Sequence, residues 1–107
     1  MVQSKDTTRI INFILFNITV NNKLGDLQNW EEIEGKLCKD FKFKDFIESF
    51  SFITKIALES EKMNHHPDIL ISYNKVNIKL ITHDINQISD KDIVLAKKID
   101  ELDIQRA

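Results

Sequence analysis

The chain has 107 residues, 42 % of them apolar and 30 % charged, with only two glycines and one proline. This composition predicts one folded domain over residues 1–107, not a linker, a collagen or a disordered tail. Fifteen Lys plus Arg against seventeen Asp plus Glu leave a net charge of −2. There is no surplus of positive charge to set against a phosphate backbone, so direct nucleic-acid binding is not expected.

Residues 10–20, IINFILFNITV, form an apolar stretch interrupted by Asn12, Asn17 and Thr19. It is too short for a bilayer, which takes about 20 apolar residues, so no membrane association is expected. Asp6 ahead of it and the lack of a small-residue cleavage site after it argue against a secretory signal. It reads as a helix or strand packed on the core, followed by a loop at Asn21, Asn22, Lys23 and Gly25. Cys38, the one cysteine, excludes an internal disulfide and a cysteine-based zinc cluster. It fits a reducing, cytoplasmic setting and reads as a packed bystander rather than a nucleophile.

Over residues 36–44, Phe41 and Phe43 alternate with Asp40, Lys42 and Lys44, the period of a strand with one buried face. Phe46, Phe50, Ile53 and Ala57 then recur at steps of four, three and four. That spacing predicts a helix N-capped by Asp45 and running to about Met63, with Phe46, Phe50 and Phe52 in the core. Pro67 stops it, because proline pushes the residue before it toward extended backbone. Ile69 and Ile71, then Val76, Ile78 and Leu80, alternate with polar residues and predict two strands with a turn near Asn74 and Lys75. Ser89, with Asp92 three residues on, has the spacing of a capping box and starts the last helix. Its apolar stripe is Ile93, Ala96 and Ile99, widened by Val94, Leu95 and Leu102. The expected fold is α+β, an antiparallel sheet of about four strands with two to three helices on one face. The edges of such a sheet need covering, which favours a homodimer or homotetramer.

All three histidines, His65, His66 and His83, fall within nineteen positions. His65 and His66 come where a helix must end and His83 just after a strand, and a paired sheet could bring both element ends to one rim. Imidazole, with an unperturbed pKa of about 6.5, can give and take protons at neutral pH. Glu61 and Asp92 lie close enough in sequence to orient these rings or to take a ligand's N–H groups. Set against an acid–base cluster are ordinary surface histidines, a partner-binding surface, and a three-imidazole zinc site. The zinc reading is the weakest on geometry, because adjacent histidines seldom point at one ion and no HExxH helix is present. Trp30 either packs in the core or walls a ligand site. Gly-rich phosphate loops and serine-nucleophile elbows are absent.

One stretch, residues 61–83, EKMNHHPDILISYNKVNIKLITH, resembles the signature of the pterin-4a-carbinolamine dehydratases. The resemblance is carried by Glu61, Lys62, His65, His66, Pro67, Tyr73, Asn74, Lys75, Val76, Thr82 and His83, then by Ser89, Asp92, Leu95 and Ala96. Upstream, Trp30, Glu34, Gly35 and the run FKFKDF at 41–46 also fit, so it covers about residues 30–102. Gln87 stands where relatives usually carry glycine, and residues 1–29 do not closely resemble the usual N-terminal helix.

The resemblance implies dehydration of a 4a-hydroxytetrahydropterin to the quinonoid dihydropterin, without metal or cofactor. It further implies that His65 and His83 handle protons at the C4a–N5 edge while His66 holds or assists the ring, all three being catalytic. Glu61 would bind ring N–H groups or tune His65, and Asp92 would orient His83. Pro67, Thr82, Asp84 and Ile85 would border the pterin, with backbone groups of residues 82–85 reading its edge and Trp30 closing a wall. Animal relatives also serve as dimerisation cofactors for a homeodomain transcription factor. An interaction role with a transcription-factor partner, and a nuclear location with it, is therefore the alternative by analogy.

Overall fold

A computed structural model of the protein describes residues 27–105, so the expectations for residues 10–20 and for the loop after them lie outside the described residues. Four strands form one antiparallel sheet: β1 (Glu31–Ile33), β2 (Lys36–Lys42), β3 (Asp68–Ser72) and β4 (Lys75–Leu80), in the spatial order β1-β2-β4-β3. Helix α1 (Phe46–Met63) connects β2 to β3, and helix α2 (Asp90–Gln105) follows β4. The architecture is α+β, as the alternation of periods predicts. No helix among the described residues is long and apolar enough to cross a membrane.

The central strands carry the core. Leu37 and Phe41 of β2 and Val76, Ile78 and Leu80 of β4 are buried on one face, and they pair Leu37 to Leu80, Phe41 to Val76. Phe52 and Ile56 of α1 and Ile93, Leu95, Ala96 and Ile99 of α2 complete the cluster. The β1–β2 hairpin turns through Glu34 (φ 51°) and Gly35 (φ 79°), the paired positive φ values that a two-residue turn with right-handed twist needs. β2 ends at Lys42, two residues earlier than the alternation predicts, but Phe43 stays buried against Phe52 with ring centroids 4.9 Å apart.

Helix α1 begins as predicted, with the Asp45 carboxylate accepting from the Glu48 amide at 2.8 Å. Its buried face, however, is Ser49, Phe52, Ile56 and Ser60. Phe46 and Phe50 are 50 % and 57 % exposed, and Ala57 is exposed too, which corrects their expected place in the core. The helix carries apolar residues on more than one face, and packing chooses between them. Phe52 is claimed by both Phe41 and Phe43. Ser49 and Ser60 are small, and each donates its hydroxyl to the carbonyl one turn back, so neither is left unsatisfied inside. Val94 of α2 is also exposed, because Leu95 and Ala96 already fill its buried side.

Candidate active site

The end of α1 delivers the first two histidines. Asn64 takes the left-handed conformation (φ 50°, ψ 43°) and donates its amide to Glu61 O, while the His65 amide donates to Ser60 O at 3.1 Å. This is a Schellman motif, with asparagine in the position glycine usually fills. The chain then runs through Pro67 into β3, whose first residue Asp68 pairs with Lys79 near the end of β4. His65, His66 and Pro67 therefore enter the sheet at the same end that Ile81, Thr82 and His83 leave it. The β3–β4 turn lies at the opposite end, centred on Tyr73 and Asn74 rather than Asn74 and Lys75.

Asp92 is the centre of this rim, and it is fully buried. One carboxylate oxygen, Oδ2, accepts from Thr82 Oγ1 and from the Ser89 amide, each at 2.8 Å. The other, Oδ1, lies 2.6 Å from His65 Nε2. The Ser89 contact is the capping-box bond that the sequence spacing predicts. The same residue thus starts a helix and holds an imidazole.

Asp92 consequently orients His65, not His83. Thr82 is buried with its hydroxyl on Asp92, while His83, next along, enters a turn and is exposed. In the extended segment leading into β3 side chains alternate, which separates His65, whose side chain is only 10 % exposed, from His66, which faces out. Glu61 accordingly pairs with His66, Oε1 to Nε2 at 2.7 Å, and not with His65. Both partners are more than half exposed, so this pair holds a ring in place but adds only about 0–1 kcal/mol to stability.

His83, Asp84 and Ile85 sit on a turn closed by reciprocal backbone bonds between Thr82 and Gln87, at 2.9 and 3.4 Å. Asn86 supplies the turn's positive φ of 53°, so Gln87 needs no glycine-like backbone there. The amides of His83 and Asp84 make no hydrogen bond among the described residues, whereas those of Thr82 and Ile85 are already engaged.

Trp30 lies apart from this rim. It is 7 % exposed, and its indole N–H donates to both carboxylate oxygens of Asp100 at 3.0 Å. Asp100 is eight residues beyond Asp92 on α2, about 12 Å along the axis. The Lys39 ammonium bonds the same carboxylate at 2.7 Å and lies over the Phe41 ring at 4.9 Å. Neither Lys39 nor Asp100 stands out in the sequence, because nothing local marks a pair sixty-one positions apart.

Chemically, the rim combines a buried imidazole with one nitrogen committed to a carboxylate and two exposed imidazoles that can meet a ligand. Among the described residues no three His, Cys, Asp or Glu side chains are grouped to hold a metal ion. An α+β scaffold with acid–base groups at one end of its sheet is the class that fold and rim define.

Comparison with known proteins identifies which. The family described as pterin 4 alpha carbinolamine dehydratase matches residues 16–102, reaching back beyond Trp30. A protein of Prochlorococcus marinus named "Putative pterin-4-alpha-carbinolamine dehydratase" is 46 % identical over 91 residues, 85 % of this chain and 95 % of its own. A protein of the same name from Sulfolobus acidocaldarius is 41 % identical over 83 residues, 78 % of this chain and 91 % of its own. Among solved structures, a transcriptional coactivator/pterin dehydratase from Brucella melitensis superposes with a TM-score of 0.74 at 35 % identity, covering 78 % of this chain and 90 % of that one. A pterin dehydratase-like protein identified as a RuBisCO assembly factor in the alpha-carboxysome gives 0.61 at 25 % identity, covering 71 % of this chain and 90 % of its own. The chain belongs to the pterin 4 alpha carbinolamine dehydratase family.

Proposed function

We propose that the protein dehydrates a 4a-hydroxytetrahydropterin to the quinonoid dihydropterin by histidine acid–base catalysis. The observation that carries this reading is the meeting of both histidine-bearing element ends at one rim of the sheet, around Asp92. In the reaction the C4a–O bond breaks, the hydroxyl takes a proton and leaves as water, and N5 gives up its proton as the C4a=N5 bond forms. One imidazolium and one neutral imidazole meet both needs, and such help is worth about 10² to 10⁴ in rate, or roughly 3 to 5 kcal/mol of barrier.

His65 and His83 handle the two protons and His66, steadied by Glu61, holds the ring. Asp92 sets the orientation of His65. We assign the amides of His83 and Asp84, which make no hydrogen bond among the described residues, to the pterin's acceptor edge, beside Pro67, Thr82 and Ile85. Trp30 acts from the core instead of walling the ligand. The exposed apolar face of α1, with Phe46, Ile47, Phe50 and Leu58, supports a homodimer or homotetramer. It equally supports the alternative of an interaction protein, and a neighbour whose name includes transcriptional coactivator favours keeping that second reading.

The test is a stopped-flow assay of the carbinolamine generated in situ. The reading expects quinonoid product to form faster than in buffer, in proportion to enzyme. A rate equal to that of buffer at micromolar protein contradicts it, and size-exclusion mass with and without a helical partner then addresses the interaction role.

A further inference from the structure

The hydrogen bonds around Asp92 have a fixed direction. Thr82 has one hydroxyl proton, and it goes to Asp92 Oδ2, because a carboxylate oxygen only accepts. The bond between Thr82 Oγ1 and Ser89 Oγ must then take its proton from Ser89. Ser89 Oγ in turn accepts from the Lys91 amide at 3.3 Å, which leaves its own proton free to point at Thr82. On the far side, Oδ1 accepts from His65, so Nε2 is the ring nitrogen that carries a proton toward Asp92.

We propose that Ser89 is a positioning residue of this site, holding both histidine-bearing segments through one side chain. Its hydroxyl fixes the Thr82 hydroxyl on Asp92, and its amide holds the same carboxylate oxygen from the other side. Gripped at Oδ2 by two donors, the carboxylate cannot turn, and Oδ1 stays on His65. Thr82 is also the hinge of the turn that carries His83, closed by its backbone bonds to Gln87. The same serine therefore sets the buried ring and the root of the exposed one. The kinetic consequence rests on the proposed dehydratase reading; the consequence for the His65 ring does not.

Three substitutions separate this role from helix capping. Ser89→Gly keeps the amide and a tolerated N-cap but removes the hydroxyl. Thr82→Val is isosteric and cuts the next link. Ser89→Thr restores the hydroxyl. In ¹⁵N-labelled protein without substrate, the parent is expected to show a protected His65 Nε2–H. Ser89→Gly and Thr82→Val should exchange that proton at least about tenfold faster, and Ser89→Thr should recover the parental rate. In turnover, Ser89→Gly should lower kcat about tenfold with KM within about twofold.

Parental exchange of the His65 proton in Ser89→Gly, in a protein with parental circular dichroism, overturns the proposal, as does a parent with no protected Nε2–H. If Ser89→Gly does not fold, the same signal in Thr82→Val decides. A parent that fails to dehydrate the carbinolamine overturns the function, while the ring signal still decides the role of Ser89.

Discussion

Asp92 Oδ1 lies 2.6 Å from His65 Nε2, so a carboxylate that caps a helix also holds a proton on that nitrogen of a buried imidazole. Asp92→Asn tests this directly. The side facing Thr82 and Ser89 receives two donors, which draws the amide oxygen there and turns the NH₂ toward His65. The ring must then accept at Nε2 and move its proton to Nδ1. We expect kcat to fall by about 10² or more, with unfolding stability lower by about 1–3 kcal/mol, in steady-state kinetics and urea denaturation.

The three histidines should separate by stability. His66 and His83 are exposed, so His66→Ala and His83→Ala should each leave stability within about 0.5 kcal/mol while lowering kcat/KM at least about tenfold. His65→Ala should lose both, because it strips a buried carboxylate of a partner at a cost of about 1–3 kcal/mol. If His66→Ala and His83→Ala both stay within about threefold of the parent on the carbinolamine, the acid–base account fails.

The rotation of α1 predicts an inverted phenylalanine series. Phe52, packed on Phe41 and Phe43, should cost about 3–5 kcal/mol as Phe52→Ala. Phe46→Ala and Phe50→Ala should change protomer stability by no more than about 0.5 kcal/mol in thermal or urea unfolding. A large loss at Phe50 under conditions where the protein is monomeric would contradict the packing described.

That same helix shows where the sequence was legible and where it was not. Its start at Asp45, its end before Pro67 and the strand at Val76, Ile78 and Leu80 follow from local rules of capping, backbone restriction and alternation. Which face of α1 is buried does not, since Phe46, Phe50, Phe52 and Ile56 all offer apolar surface and the positions of Phe41 and Phe43 in space select among them. The site divides in the same way. Ser89 and Asp92 are recognisable as a cap, and the histidines as element ends. That Asp92 meets His65 depends on the antiparallel register of β3 and β4, which is a long-range fact.

The Lys39–Asp100 pair is mostly buried, with side-chain exposures of 11 % and 18 %. Asp100→Ala should cost about 3–5 kcal/mol, since it leaves the Lys39 ammonium uncompensated and the Trp30 N–H without an acceptor. Replacing both members by Lys39→Met and Asp100→Leu should recover much of the loss. Trp30 emission, which reports its indole environment, and urea midpoints together check this.

Burial pushes the Cys38 thiol above its ordinary value of 9.0, with the nearby Lys79 and Lys36 ammonium groups opposing. A group raised on folding keeps its proton longer in the native state than in the unfolded chain. Its contribution to stability is therefore whole below pH 9.0 and declines as pH climbs from there toward the raised folded value. Cys38→Ala should flatten that decline above pH 9.0. Alkylation of the native thiol at pH 8 should run at least about tenfold slower than in urea.

The most direct test is an NMR titration of ¹⁵N-labelled protein with a 7,8-dihydropterin. The account predicts that the largest shifts fall on the rings of His65, His66 and His83 and on the amides of His83 and Asp84. Shifts confined to the groove around Gln28, Lys39, Asp103 and Ile104, with the three imidazoles unmoved at saturation, would contradict it.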